Sequence, residues 1–176
     1  GCEVKRSSCL IRAVTFDAGG TLLEPRGSVG QIYAEVASER GFPGLSPEIL
    51  TRRFHAAWRA RPDFNQSRAE WAEIVDATFH GLVPVPPSQT FFGEVYRRFA
   101  EPHAWHVYPD VRPTLRELAA RGIKLAVISN WDQRLRRLLG RLGLLRHFDA
   151  VVVSGEAGFP KPCPAIFDFA ARQLAL

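Results

Sequence analysis

The chain has no methionine and only three cysteines in 176 residues. An intact reading frame opens with methionine, so Gly1 is expected not to be the translational start but to follow a removed initiator or a cloning remnant. Cys2, Cys9 and Cys163 show neither CxxC nor any other metal-ligand spacing, and three thiols cannot all pair within one chain. Reduced thiols in a cytoplasmic protein are the expectation. No apolar run approaches the roughly eighteen residues needed to cross a bilayer. Lys5 and Arg6 are not followed by an apolar segment of secretory length. Repeats and low-complexity segments are also missing, which excludes solenoids and linker arrays.

What is present suits one compact domain, or a core with a smaller inserted module: 46% of residues are hydrophobic and 23% charged. The net charge is +5 and the pI about 9.6. The densest basic run, Arg134, Arg136, Arg137, Arg141 and Arg146, interleaves with Leu135, Leu138, Leu139 and Leu142 at helical spacing. These arginines are therefore read as the solvated face of an amphipathic helix rather than a nucleic-acid surface, and no nucleic-acid or membrane partner is expected. A positive field still favours an anionic small-molecule substrate.

Ile11 to Phe16 reads as a buried parallel strand that presents Asp17 at its carboxyl end, with Gly19 and Gly20 after it. Four helices follow with no strand signal between them. The first spans Ser28 to Arg40, with Gly41 as its stop, and the second starts at Ser46 with Pro47 in its first turn. The third opens on the capping pair Ser67 and Glu70, and the fourth covers about Ser88 to Ala100. Their aromatic stripes, among them Tyr33, Phe54, Trp71 and Phe92, read as the core of a small bundle rather than a ligand cage. After Pro109 helices alternate with strands at Lys124 to Ser129 and Ala150 to Val153, and a last helix starts near Pro164. The pattern predicts an α/β fold: a Rossmann-like parallel sheet with an α-helical module inserted after the first strand. The core would comprise residues 10–24 and 108–176, and the insertion residues 25–107.

Ligands of open parallel sheets bind at the carboxyl ends of the strands. Here the first end offers Asp17, Gly19, Gly20 and Thr21, and the second Ser129 and Asn130; the loop beyond the third carries Lys161. A carboxylate, a hydroxyl–amide pair and a lysine converging on one spot make an anion site with a built-in nucleophile. A carboxylate can attack phosphorus or an electrophilic carbon to form a covalent intermediate. A phosphate dianion repels it, so cations must neutralise the approach; Lys161 supplies one charge and Mg²⁺ would supply more.

Phe16 to Leu22 (FDAGGTL), Ile128 to Asn130 (ISN) and Gly158 to Phe167 (GFPKPCPAIF) resemble, in order, the first three motifs of the haloacid dehalogenase superfamily. The helical insertion resembles that family's cap, and the run AVISNWD is most similar to its branch of hydrolase domain-containing proteins three. The resemblance implies Asp17 as nucleophile and Lys161 as the lysine bridging nucleophile and substrate. Ser129 and Asn130 would bind phosphate, and Thr21 would orient the nucleophile beside the substrate. Asp17 and the Gly19 carbonyl would hold Mg²⁺. Two departures stand out. The family's phosphatases carry a general acid–base Asp where this chain has Gly19, which has no side chain to protonate a leaving alkoxide. The family's fourth, acidic motif has no counterpart after Lys161, where Asp168 is the remaining carboxylate side chain. The core is therefore expected to be truncated, its Mg²⁺ binding weak, its activity weak or nil, and the free edge of the first strand open and apolar. The leading expectation is a hydrolase of small-molecule phosphate esters. The alternatives are a metal-independent 2-haloacid dehalogenase, with Arg26 or Arg40 holding the substrate carboxylate, and a non-catalytic binding protein on the same fold.

Overall fold

The computed structural model describes residues 11–62 and 64–176. Cys2 and Cys9, like the first residue assigned to the core, lie outside the described residues; Cys163 is a half-buried free thiol. Among the described residues no helix is long and apolar enough to cross a membrane.

Three parallel strands form the sheet, β1 (Ala13–Phe16), β4 (Lys124–Ser129) and β5 (Ala150–Val153), in the order β1-β4-β5. The register pairs Phe16 with Val127 and Ser129 with Val153, so all three carboxyl ends open on one edge. β4 is central and covered on both faces, which is why it reads as an unbroken apolar run. Leu125 and Val127 pack with Val111 and Leu115 of α5 (Val111–Ala120) and with Leu135, Leu138 and Leu139 of α6 (Arg134–Arg141). Ile128 faces the other way, onto Ile166 and Ala170 of α8 (Pro164–Gln173). Contrary to the expected buried strand, β1 is half-exposed, because β4 covers only one of its edges; Ile11 just before it is 71% exposed.

Between β1 and β4 the chain builds α1 (Val29–Glu39), α2 (Pro47–Arg59), α3 (Arg68–Phe79) and α4 (Phe92–Arg98). Ser28, Ser46 and Ser67 each accept a backbone N–H of the first turn through the side chain, starting three helices where the sequence signals them. These helices enclose a second apolar cluster around Tyr33, Leu50, Phe54, Ile74 and Phe79. The expected fourth helix is broken: Pro87–Gln89 is a 3₁₀ turn, Thr90 turns out of helical geometry (φ −131°, ψ −82°), and α4 begins only at Phe92. A two-stranded antiparallel ribbon, β2 (Leu23–Pro25) with β3 (Trp105–Val107), carries the chain into and out of these helices. The sequence reading contained no such ribbon; its strands are three residues long, too short to show alternation. α7 (Ser154–Ala157) follows β5 and leads into the Lys161 loop.

Candidate active site

β1 ends at Phe16, so Asp17 stands on the carboxyl edge of the sheet with its side chain 42% exposed. One oxygen, Oδ1, accepts from the backbone N–H of Ala18 at 2.7 Å and from the Ser129 hydroxyl at 2.8 Å, and it lies 2.9 Å from the Lys161 ammonium. Among the described residues nothing donates to Oδ2. Three donors thus fix the carboxylate through one oxygen and leave the other presented, a geometry suited to nucleophilic attack.

Ser129, the last residue of β4, is buried. Asn130 follows it, and its side chain is spent on the backbone of Lys161: Oδ1 accepts the Lys161 N–H at 2.6 Å, and Nδ2 donates to the Lys161 carbonyl at 3.0 Å. The loop after α7 is thereby clamped so that the lysine side chain reaches Asp17. Asp17, Ser129, Asn130 and Lys161 are brought together as expected. Asn130 enters as a brace for Lys161, a role the phosphate-binding expectation did not contain. Thr21 is exposed, and its hydroxyl makes no hydrogen bond among the described residues; it lies outside this network.

Gly19 sits where an acid–base side chain would project. A Cβ there would stand 3.5 Å from the Trp131 ring, an ordinary van der Waals contact. Gly19, Gly20 and Asn130 form one end of a cavity of about 350 Å³ between the strand ends and the helices, whose far wall includes Phe54, Trp58 and Trp71. Several stripe residues read as core are core and cavity wall at once: Tyr33, Phe54 and Phe92 are buried in the helical cluster and line this space.

Tyr96 and Arg134 also line the wall, and Asp132 stands behind them. Buried Asp132 accepts Arg134 Nε through both oxygens, at 2.9 and 3.0 Å, and Nη2 at 2.7 Å. The Arg134 guanidinium carbon lies 3.4 Å from the Tyr96 ring centroid, and its Nη1 donates to the Tyr96 carbonyl at 2.7 Å. Tyr96 belongs to α4, so this cluster ties the helices to the sheet. Burial pushes the Tyr96 phenol above its ordinary value; Arg134 opposes that shift and Asp132 adds to it. Arg134 was expected on a solvated helix face and instead closes the seam. Arg136 stays on the exposed face as expected, while also donating to the Val151 carbonyl and Glu156. Arg26 and Arg40, proposed from sequence as carboxylate holders, donate to the His103 carbonyl and to Glu94, and neither lines the cavity.

The family model described as haloacid dehalogenase-like hydrolase matches residues 11–176. Haloacid dehalogenase-like hydrolase domain-containing protein 3 of Homo sapiens is 39% identical over 173 residues, which are 92% of this chain and 68% of that protein. Among solved structures, a HAD phosphatase from Thermococcus onnurineus superposes with a TM-score of 0.61 at 27% identity, covering 94% of this chain and 72% of that one. The L-2-haloacid dehalogenase from Xanthobacter autotrophicus superposes at 0.66 with 26% identity, covering 95% and 66%.

Proposed function

This chain belongs to the haloacid dehalogenase-like hydrolase family, and on that footing we propose that it cleaves phosphate esters of small molecules with Asp17 as the nucleophile. The observation that carries the reading is the convergence of Ser129, Lys161 and the Ala18 N–H on one oxygen of Asp17. The free oxygen, Oδ2, attacks phosphorus and the bond to the departing oxygen breaks. Lys161, already beside the carboxylate, offsets the charge that otherwise repels a phosphate. Water then attacks the aspartyl phosphate at phosphorus, freeing phosphate and restoring the carboxylate, a leaving group that needs no acid. The helices act as a cap over this chemistry.

The donor set fits Mg²⁺ poorly. Asp17 and the Gly19 carbonyl offer two oxygens toward the roughly six that Mg²⁺ requires, and no cluster of three or more potential ligands occurs among the described residues. The steps above therefore use none. The same features favour a second reading, attack of Asp17 on the halogen-bearing carbon of a 2-haloacid, where halide leaves without a proton.

Measuring phosphate release from an activated ester and halide release from a 2-haloacid, each with and without EDTA, separates the two. Under the leading reading Asp17→Asn lowers phosphate release at least about a thousandfold while the fold persists. Turnover unchanged in Asp17→Asn would remove both readings, and a native protein that turns over neither substrate would leave a scaffold.

A further inference from the structure

We propose, building on the phosphate-ester reading, that the substrate is an aryl phosphate whose aromatic leaving group occupies the cavity between the sheet and the helices. Two independent observations meet here. The first is the cavity wall. All four tryptophans of the chain, Trp58, Trp71, Trp105 and Trp131, line it. They come from separate elements, so no single helical stripe accounts for their convergence. Ring faces and edges select a flat aromatic occupant over an extended polar one, through burial and through offset or edge-on ring contacts.

The second observation is the leaving-group end. Gly19 and Asn130, close in the chain to Asp17 and Ser129, line the cavity, which puts room for a leaving group on that side of the site. Among the described residues no carboxyl group lines the cavity to protonate it, and a Cβ on Gly19 would stand in contact with the Trp131 ring. As Asp17 Oδ2 bonds to phosphorus and the ester bond breaks, the electron pair leaves on oxygen without a proton. A phenolate carries that charge readily, since phenols ionise near pH 10, as tyrosine does, whereas an alkoxide is a far stronger base and requires the missing acid. The shape of the cavity and the chemistry at its mouth select the same class.

The test uses the chain as it stands, with a binding and a turnover measurement. The wall tryptophans report binding by their own fluorescence. Phenylphosphonate, which cannot be cleaved, should quench it with a Kd about tenfold or more below that of methylphosphonate, a difference expected from burying one ring. Trp58→Ala, at a position 42% exposed and so tolerant of truncation, should shrink that preference about threefold. In turnover, phenyl and naphthyl phosphates should be cleaved and ethyl phosphate should not, with rates falling steeply as the leaving-group pKa rises. Equal affinity for the two phosphonates, or ethyl phosphate cleaved as fast as phenyl phosphate, would overturn the inference while leaving phosphate-ester hydrolysis intact. If neither phosphonate nor inorganic phosphate binds, and no ester is cleaved, the phosphate reading fails and this one fails with it.

Discussion

The helical unit and the α/β part each enclose an apolar cluster, yet they differ in how their polar groups are satisfied. In the helices Thr78 bonds the Ile74 carbonyl one turn back, a purely local solution. In the α/β part Ser129 bonds Asp17 across 112 residues of chain, and Asn130 holds Lys161 across 31. Polar groups tied over long separations fix the relative positions of whole elements, and here they do so at the strand ends, where the candidate site lies. The helices contribute shape: aromatic surface and a wall whose residues double as core, with their ion pairs around Arg98 and Glu94 lying apart from that wall. One part would therefore set the reaction and the other the substrate.

The Asp132–Arg134–Tyr96 cluster is where this division can be broken, because it belongs to both parts. Asp132 and Arg134 side chains are 4% and 15% exposed. Asp132→Ala leaves the guanidinium at the seam without its carboxylate, and removing one partner of a buried pair costs about 3 kcal/mol. Chemical denaturation should show that loss, and the aromatic preference of the cavity should fall with it. The exposed pair Arg141–Glu101, at 46% and 31%, is the control: Glu101→Ala should cost under about 1 kcal/mol. Equal effects of the two substitutions would mean the seam is not a latch.

The same contrast explains what the sequence made legible. The three parallel strands and their polar ends were readable because strand, turn and motif residue adjoin: Phe16 then Asp17, Ser129 then Asn130. The pattern is local even though the site is not. The helix starts at Ser28, Ser46 and Ser67 were readable for the same reason. Arg134 was misplaced because residues two apart do not face each other on a helix. Asp132 and Gln133, however, precede α6, and at that junction the spacing allows the pair. The cavity was invisible because its wall comes from stripes on several elements, each reading as ordinary core when taken alone. The Asn130 clamp was hidden by another feature: its partners are backbone atoms of Lys161, which no side-chain pattern announces. Gly19 was legible as a glycine where the resemblance implies an acid, but the contact a Cβ there would make with Trp131 was not.

A substitution confined to the helices sharpens the comparison. Gly30 lies where α1 crosses α2, with its N–H on Thr51 Oγ1 at 3.1 Å. A Cβ there would come within 1.9 Å of the Pro47 carbonyl oxygen and 2.5 Å of the Thr51 nitrogen, both backbone atoms that cannot swing aside. Gly30→Ala must push the two helices apart, and overpacking of this kind costs about 1–3 kcal/mol. Denaturant unfolding measures the loss. Titrating the variant with inorganic phosphate should give an unchanged affinity, because Asp17, Ser129 and Lys161 belong to the other part. Weakened phosphate binding in a folded Gly30→Ala protein would show that the two parts are not separable.

The smallest effect concerns acid, which should reach the two parts in sequence. His147, between α6 and β5, is half-buried; desolvation holds its imidazole below its ordinary value, and Arg146, Arg112 and Arg116 reinforce that. The native protein thus binds this proton more weakly than the unfolded chain. As pH falls from neutral through the ordinary histidine range, the unfolded chain is protonated first and stability declines; above that range the contribution is fully present. In the helices the corresponding group is Glu48, held below its usual value chiefly by the Ser46 hydroxyl. Its contribution is present above the ordinary carboxylate range and is lost only as pH falls further, through its lowered value. Denaturant midpoints measured between about pH 7.5 and pH 5.5 should therefore drop in the native protein, and should drop less in His147→Gln and unchanged in Glu48→Gln. An identical drop in all three proteins would mean the near-neutral acid response has another origin, and with it would go the idea that acid loosens the α/β part first.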